Sequence, residues 1–532
     1  MNAIAVLIVG FIVAYLGYRV YAGYVDANII KADPKRTTPA KMYMDGVEFM
    51  PTSRNILYGY QFKSIAGAGP IIGPIIAMQW GWLPAVLWIL LGTFFIGWVH
   101  DYASAMIAIR NEGASFGGLS HRLISPRARI ILLSFIYFYL LLIAGAFGAV
   151  VVGTAIGLKA SPMAWLLLTV AGILAGQMIY RWKRDIILTT VVCVVIALFG
   201  IYLGTKVPSN AVLGDALSNN RWIWAICAFV FCYFAAVLPI WRFALPINYV
   251  ASYVVLLGLF FGIIGIFVKH PNFTLPAFTT FSIPIGPMWP IMFVTIACGA
   301  ISGWHSIVSS SGTARQLENE LDARPVGAGV MFVEMMLALF ALIIAGTIFT
   351  SAAEYMQAIK VSPAGVFATG VGTFLNAVGL PLEVAKSYGS VMMIFLAITI
   401  MQLVIRFMRV ATSELLSDVH PGEHPGHDPG HDRLVAVSVG PVRRREPVDG
   451  IVGASAHLSV ARLGRQAVGM GLLSDDIHVC DHDCSAALHV VQFARREGSG
   501  RRSEGRSTRW EHAHGARGSV PGRGSIGSRV GR

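Results

Sequence analysis

The stretch Gln61–Gly113 reads QFKSIAGAGPIIGPIIAMQWGWLPAVLWILLGTFFIGWVHDYASAMIAIRNEG. Its apolar run opens with Gly67, Gly69, Pro70, Gly73 and Pro74 and closes on His100 and Asp101. In water the first cluster would make a loop. Here it opens a membrane segment, where broken helix and buried charge cost most. Such features persist in lipid mainly where something polar binds or passes.

The rest of the chain supports a membrane reading. Of 532 residues, 55% are hydrophobic and 13% charged, with mean hydropathy +0.65. Apolar runs of about 17–25 residues recur over the first four-fifths. The run starting at Ala3 lacks a basic leader and a small-residue cleavage site, so it is expected to stay as an uncleaved helix. The net charge of +13 does not point to nucleic acid, because it is concentrated at the far end: from Ala411 onward there are sixteen Arg and no Lys. Cys193, Cys227, Cys232 and Cys298 lie in apolar helices and are expected to be core thiols, not disulfides.

The expected spans are about 3–24, 65–80, 84–109, 130–158, 163–180, 186–204, 222–240, 247–268, 288–311, 328–350 and 388–410. Lys and Arg fall in alternate loops. Loop 25–63 carries Lys31, Lys35, Arg36, Lys41, Arg54 and Lys63; Arg110, Arg122, Arg127, Arg129, Arg181, Lys183, Arg184, Arg242, Arg315 and Arg324 follow. The intervening loops are nearly free of positive charge, which places the N-terminus outside. Val361–Leu380 is short of bulk. We read it as re-entrant, which keeps Arg406 and Arg409 inside; such backbone must be buried in protein or line a cavity.

Three segments carry chemistry. Gly67-Ala68-Gly69-Pro70 and Gly73-Pro74 are not expected to form a straight helix. An unwound start frees backbone groups for a solute, and a half-helix N-terminus favours an anion. Ser64, Gly67, Gly69, Pro70 and Gly73 are therefore candidate substrate-binding positions; glycine packing or a proline kink is the plainer alternative. Cys298–Gly312, CGAISGWHSIVSSSG, is a second interrupted helix offering Ser302, Trp304, His305, Ser306 and Ser309, although Gly299 and Gly303 also suit close packing. His100, Asp101 and Glu334 are candidate proton-coupling groups. Interfacial positions for all three stand as the alternative. Two interrupted helices in one chain fit a secondary transporter with a midplane site.

These residues together resemble the carbon starvation protein A family of bacterial inner-membrane transporters. The motifs are FKSIAGAGPIIGPIIA (Phe62–Ala77), GWLPAVLWILLG (Gly81–Gly92), GWVHDYASAMIAIRNEG (Gly97–Gly113), CGAISGWHSIVSSSGTARQLENELDAR (Cys298–Arg324) and FATGVG (Phe367–Gly372). The resemblance covers roughly residues 1–417. It implies uptake of peptides or small carboxylates such as pyruvate, coupled to protons, in carbon-starved cells. It also implies a fold similar to inverted-repeat transporters. The expected fold is thus an all-α polytopic transmembrane helical bundle with discontinuous helices. The partners are the solute, protons and the lipid bilayer, with no nucleic acid, cofactor or metal; oligomeric state is left open. A membrane-embedded sensor or subunit without flux is the second reading, and an intramembrane enzyme using His100, Asp101 and His305 a third.

The character changes after Asp418. Residues 418–532 are rich in Arg, His and Gly, with no clear span, and are expected to be disordered. His420, His424, His427 and His431, and Cys480, His482 and Cys484, invite a metal reading but match no known finger spacing. A reading-frame argument explains them better. Back-translation of Val439–Leu458, advanced by one base, permits WVLFGGANQLMASLALLLI, an apolar helix whose GGANQLMA resembles a C-terminal motif of the family. The tail is therefore read as out-of-frame translation. Resequencing the locus is expected to find a frame change near Ser417–His431; an intact frame with a native protein of matching mass would overturn this.

Overall fold

The computed structural model describes residues 1–417. The tail expected over 418–532, with its His and Cys clusters, lies outside the described residues. The described chain is a helical bundle; its only strands pair in a minimal hairpin, Ser282–Ile283 with Gly286–Pro287.

Among the described residues nine helices are long and apolar enough to cross a membrane, or up to eleven if two bent pairs each count as one span. In chain order we label α1 (Ala3–Ile30), α2 (Arg54–Ile65), α3 (Gly69–Ala77), α4 (Trp82–Arg110), α5 (Pro126–Gly157), α6 (Ser161–Arg181), α7 (Ile186–Lys206), α8 (Arg221–Val237), α9 (Ala244–Lys269), α10 (Phe293–Ala300), α11 (Gly303–Ser311), α12 (Val330–Thr347), α13 (Pro363–Ala377) and α14 (Leu382–Ser417). Local chemistry sets several starts. Ser125 accepts from the Ala128 amide with Pro126 behind it, Asp185 accepts from Leu188, and Ser362 accepts from Gly365 with Pro363 in the first turn. These side chains satisfy amides that a helix start leaves bare.

Eight of the expected spans are single long helices here, and 288–311 is the broken pair α10–α11. The expected span 65–80 is instead the broken pair α2–α3. The expected span 222–240 is α8, joined to Ser209–Ser218 at a bend of 116°. Over 361–380, α13 follows Ala352–Val361 at a bend of 118°. Its glycines let it press on its neighbours: a Cβ on Gly370 would lie 2.1 Å from Ile344 and one on Gly372 2.8 Å from Lys386.

Burial sorts the helices. In the apolar 18-residue stretches of Glu320–Thr347 and Leu382–Leu415, 89% and 83% of residues are buried, so α12 and α14 form the centre; in that of Pro126–Gly157 only 17% are, and Ile131, Phe135, Phe138 and Leu142 face outward. An apolar exterior is what lipid requires. Cys193 and Cys232 are core thiols as expected, whereas Cys227 is exposed on the outer side of α8, because that 17-residue helix buries only one stripe.

The loops separate into two sets, as the charge alternation requires. Hydrogen bonds join Ala3 to Pro271, Phe273 to Met1, Thr274 to Gly346 and Leu83 to Ala277 in the charge-poor set. In the basic set Arg110 reaches the Lys31 carbonyl and Glu320, and Ile240 bonds Val47. One expectation fails: Lys63 is not a loop cation. It lies in α2, wholly buried. The helix RNILYGYQFKSI is too polar for lipid and is sheathed by protein instead, which hid it from hydropathy.

The basic end is closed by Arg406 of α14. Its guanidinium donates to the carbonyls of Ala235 and Leu238 at the end of α8 and to Glu48 at 2.7 Å. Arg409 also donates to Glu48. Burial alone would raise the Glu48 carboxyl, but Arg406, Arg409 and Arg315 outweigh it and hold it below its ordinary value of 4.5. A depressed acid contributes stability above its unfolded value and loses it as pH falls through the folded one. Glu48→Gln is therefore expected to destabilise the purified protein by about 3–5 kcal/mol near neutral pH. The gap to wild type should close as pH drops below 4.5, read by thermal melting.

Candidate functional site

The two interrupted helices lie side by side and antiparallel, with their breaks at the same level. A Cβ on Gly73 would sit 2.2 Å from the Thr295 carbonyl, and one on Gly69 2.7 Å from Cys298 Cβ and Sγ. Beyond the breaks Trp304 Nε1 donates to the Ser64 carbonyl at 2.8 Å, Gln61 donates to Ser309 at 2.9 Å, and Thr313 donates back to Gln61. α3 thus runs against α10, and α2 against α11, in opposite directions. This is the local geometry of an inverted pair.

The first break is narrower than expected. It covers Ala66–Ala68, and the helix resumes at Gly69 with Pro70 in its first turn and Pro74 inside. Pro70 costs little there, since first-turn amides lack helical partners anyway. The second break is at Ile301 and Ser302, both extended. Of the glycine pair there, only Gly299 makes a tight contact, with Ala338 at 2.6 Å; nothing lies within 4 Å of a Cβ on Gly303.

α4 crosses the second break through a π-helical turn, Thr93–Gly97. Such turns often mark functional sites. Thr93 Oγ1 lies 3.4 Å and 3.5 Å from the carbonyls of Gly299 and Ala300, partnering the open end of α10. One turn further come His100 and Asp101. The Ser302 amide donates to His100 Nε2 at 3.2 Å, which leaves Nδ1–H to donate to Asp101 Oδ1 at 2.9 Å. Asp101 Oδ2 meets His305 Nδ1 at 3.2 Å. His305 Nε2 faces Glu334 Oε2 at 3.2 Å, near but out of line for a hydrogen bond. Cys298 Sγ is 4.0 Å from the other Glu334 oxygen.

The result is one row of titratable groups, His100–Asp101–His305–Glu334. The His100 side chain is 27% exposed and the other three are fully buried. Both nitrogens of His305 face carboxylates. Either His305 is cationic or one carboxyl carries the proton, and losing that proton would leave two bare carboxylates in a low-dielectric interior. A proton in this row would have more than one atom on which to reside. Cys298, His305 and Glu334 bring three donor atoms within 4.8 Å of one another. That set is of a type able to hold a borderline divalent ion, and its His305 Nε2 and Glu334 Oε2 make no hydrogen bond among the described residues.

Every site residue expected from sequence is in or beside this crossing. The hydroxyl of Ser64 bonds back to the Tyr60 carbonyl, and Ser306 gives its carbonyl to Ser310. Glu334 is wholly buried and not interfacial. Sequence reasoning missed four residues. Cys298 is at the crossing, not a mere core thiol. Gln61 and Thr313 stitch the half-helices. Lys63 donates to Thr399 Oγ1 at 2.8 Å and to the Ala66 carbonyl at 3.3 Å. A lysine four residues before a glycine run was a usable signal for the last.

The family pattern described as "Carbon starvation protein CstA" matches residues 2–362. The chain belongs to this family. The pyruvate/proton symporter BtsT of Escherichia coli (strain K12) is 33% identical over 360 residues, covering 65% of this chain and 49% of that protein. The peptide transporter CstA of Bacillus subtilis (strain 168) is 33% identical over 354 residues, covering 65% and 58%. The peptide transporter CstA of Escherichia coli (strain K12) is 33% identical over 377 residues, covering 64% and 50%. The chain spans about half the length of the curated relatives it matches. As a member of the carbon starvation family with at least nine long apolar helices among the described residues, it is a multi-pass membrane protein. The family match ends before the FATGVG run at Phe367–Gly372.

The Gly69–Cys298 contact offers a side-chain test of the crossing. Gly69→Leu is expected to destabilise the protein by about 1–3 kcal/mol through overpacking. Adding Cys298→Gly removes the atoms the leucine meets and should recover part of the loss, again read by thermal melting.

Proposed function

We propose that this chain is a secondary transporter of the inner (plasma) membrane that takes up peptides or small carboxylates such as pyruvate together with protons, in the response to carbon starvation. The observation that carries this reading is the buried row His100–Asp101–His305–Glu334 at the crossing of two broken helices. A proton carrier needs a group that is stable with and without its proton near the solute, and a row of four groups spreads that cost. Backbone freed at the breaks supplies the solute contacts at Gly67, Gly69, Pro70 and Gly73, with Ser64, Ser302, Trp304, Ser306 and Ser309 around them. His305 belongs to the proton row in this reading as much as to the solute site. The transporter names of the relatives support flux over catalysis.

We further propose that residues 1–417 form the transmembrane domain and that the tail beyond is out-of-frame. Uptake is therefore to be measured both with the chain as given and with its frame restored. In proteoliposomes, an inward proton gradient is expected to stimulate uptake of pyruvate or of di- and tripeptides over uptake without a gradient. Asp101→Asn should abolish that stimulation. No uptake by either form would overturn the transport reading, and solute binding without flux would favour the sensor.

A further inference from the structure

We propose that Lys63 is the docking group for a carboxylate on the transported solute, shared by small monocarboxylates and the C-termini of peptides. This rests on the transport reading above, but its chemistry comes from Lys63 itself.

Three basic side chains are buried among the described residues: Lys63, His305 and Arg406. His305 lies between Asp101 and Glu334, and Arg406 is paired with Glu48. Lys63 has no carboxylate within 4.0 Å among the described residues. Its ammonium has three donors and meets only a hydroxyl, Thr399 Oγ1, and a distant carbonyl, Ala66 O at 3.3 Å. A buried cation held by neutral groups alone is under-compensated, and an arriving anion would favour its charged form.

The place is built for an anion in a second respect. Lys63 Nζ touches the break itself through Ala66. The amides of Gly67, Ala68 and Gly69 make no hydrogen bond among the described residues. They lead into α3, whose N-terminus carries the positive end of the helix dipole. A carboxylate has two oxygens, one for the ammonium and one for the free amides. Its access requires the Ala66 carbonyl to turn away from Lys63, and Ala66 sits at the unwound end of α2 with extended ψ of 93°. Thr399 would stay as a neutral second partner and fix where the ammonium points. Gly67 must remain small, because a Cβ there would lie 2.3 Å from Ile400.

The test is calorimetric titration of the purified full chain with pyruvate, pyruvamide, alanyl-alanine and alanyl-alaninamide. Wild type is expected to bind at least one acid about 10–100-fold more tightly than its amide. Pyruvate alone would mark the small acid as the source, the dipeptide alone the peptide C-terminus; either supports the site. Lys63→Gln should weaken the acid to the level of its amide, and Lys63→Arg should retain part of the preference. Should Lys63→Gln fail to fold by thermal melting, the wild-type comparison still decides: equal binding of acid and amide, or no binding of either, overturns the proposal. Acid binding that depends on Lys63 without any uptake would leave this site standing and remove the transport reading. Uptake unchanged in Lys63→Gln would do the reverse.

Discussion

The side-by-side fit of two broken helices is the constraint on which this structure depends. Opening a helix inside a membrane exposes backbone groups that lipid cannot satisfy, so each break must find partners in protein. Here the breaks serve one another and borrow from α4. Gly69 and Gly73 let α3 approach α10 until backbone and side chain touch. The carbonyls left open at Gly299 and Ala300 face Thr93, the Ser302 amide is taken by His100, and the Ser64 carbonyl by Trp304. The π-helical turn in α4 follows from the same need, because Gly97 must pass the Ala300 carbonyl, 2.3 Å from where its Cβ would be.

The buried charges follow from that geometry. Asp101 and Glu334 are in the interior because His305, near the N-terminus of α11, stands between them. Lys63 and Glu334 are both wholly buried, Lys63 beside the first break and Glu334 beside the second. Charges placed in one low-dielectric volume act on one another more strongly than they would in water.

Much of this was legible in the sequence because lipid imposes a strict grammar. Glycines and prolines inside an apolar run pointed to a break or a kink, and His100, Asp101, His305 and Glu334 stood out as polar groups that lipid does not accept. What hydropathy could not supply was burial by protein. α2 is too polar for a span, so Lys63 was counted with the loop before it, although it is as deep as its neighbours. Cys298 and Cys227 have similar apolar surroundings in the sequence, yet one faces a carboxylate and the other faces outward. Their difference arises from which helix lies across from them, a pairing that hydropathy along one strand of chain does not encode. The extent of unwinding was also overestimated, since Pro74 is accommodated within α3.

α14 shows where similarity and construction part company. The family pattern ends at residue 362, yet α14 begins only at Leu382. It supplies Thr399 to Lys63, presses Ile400 over Gly67, and sends Arg406 to the end of α8 and to Glu48. A piece cut at the edge of the recognisable family would keep every signature motif of the first half and lose one wall of the crossing. The contacts that close the crossing therefore extend at least one helix beyond the segment that the family pattern matches.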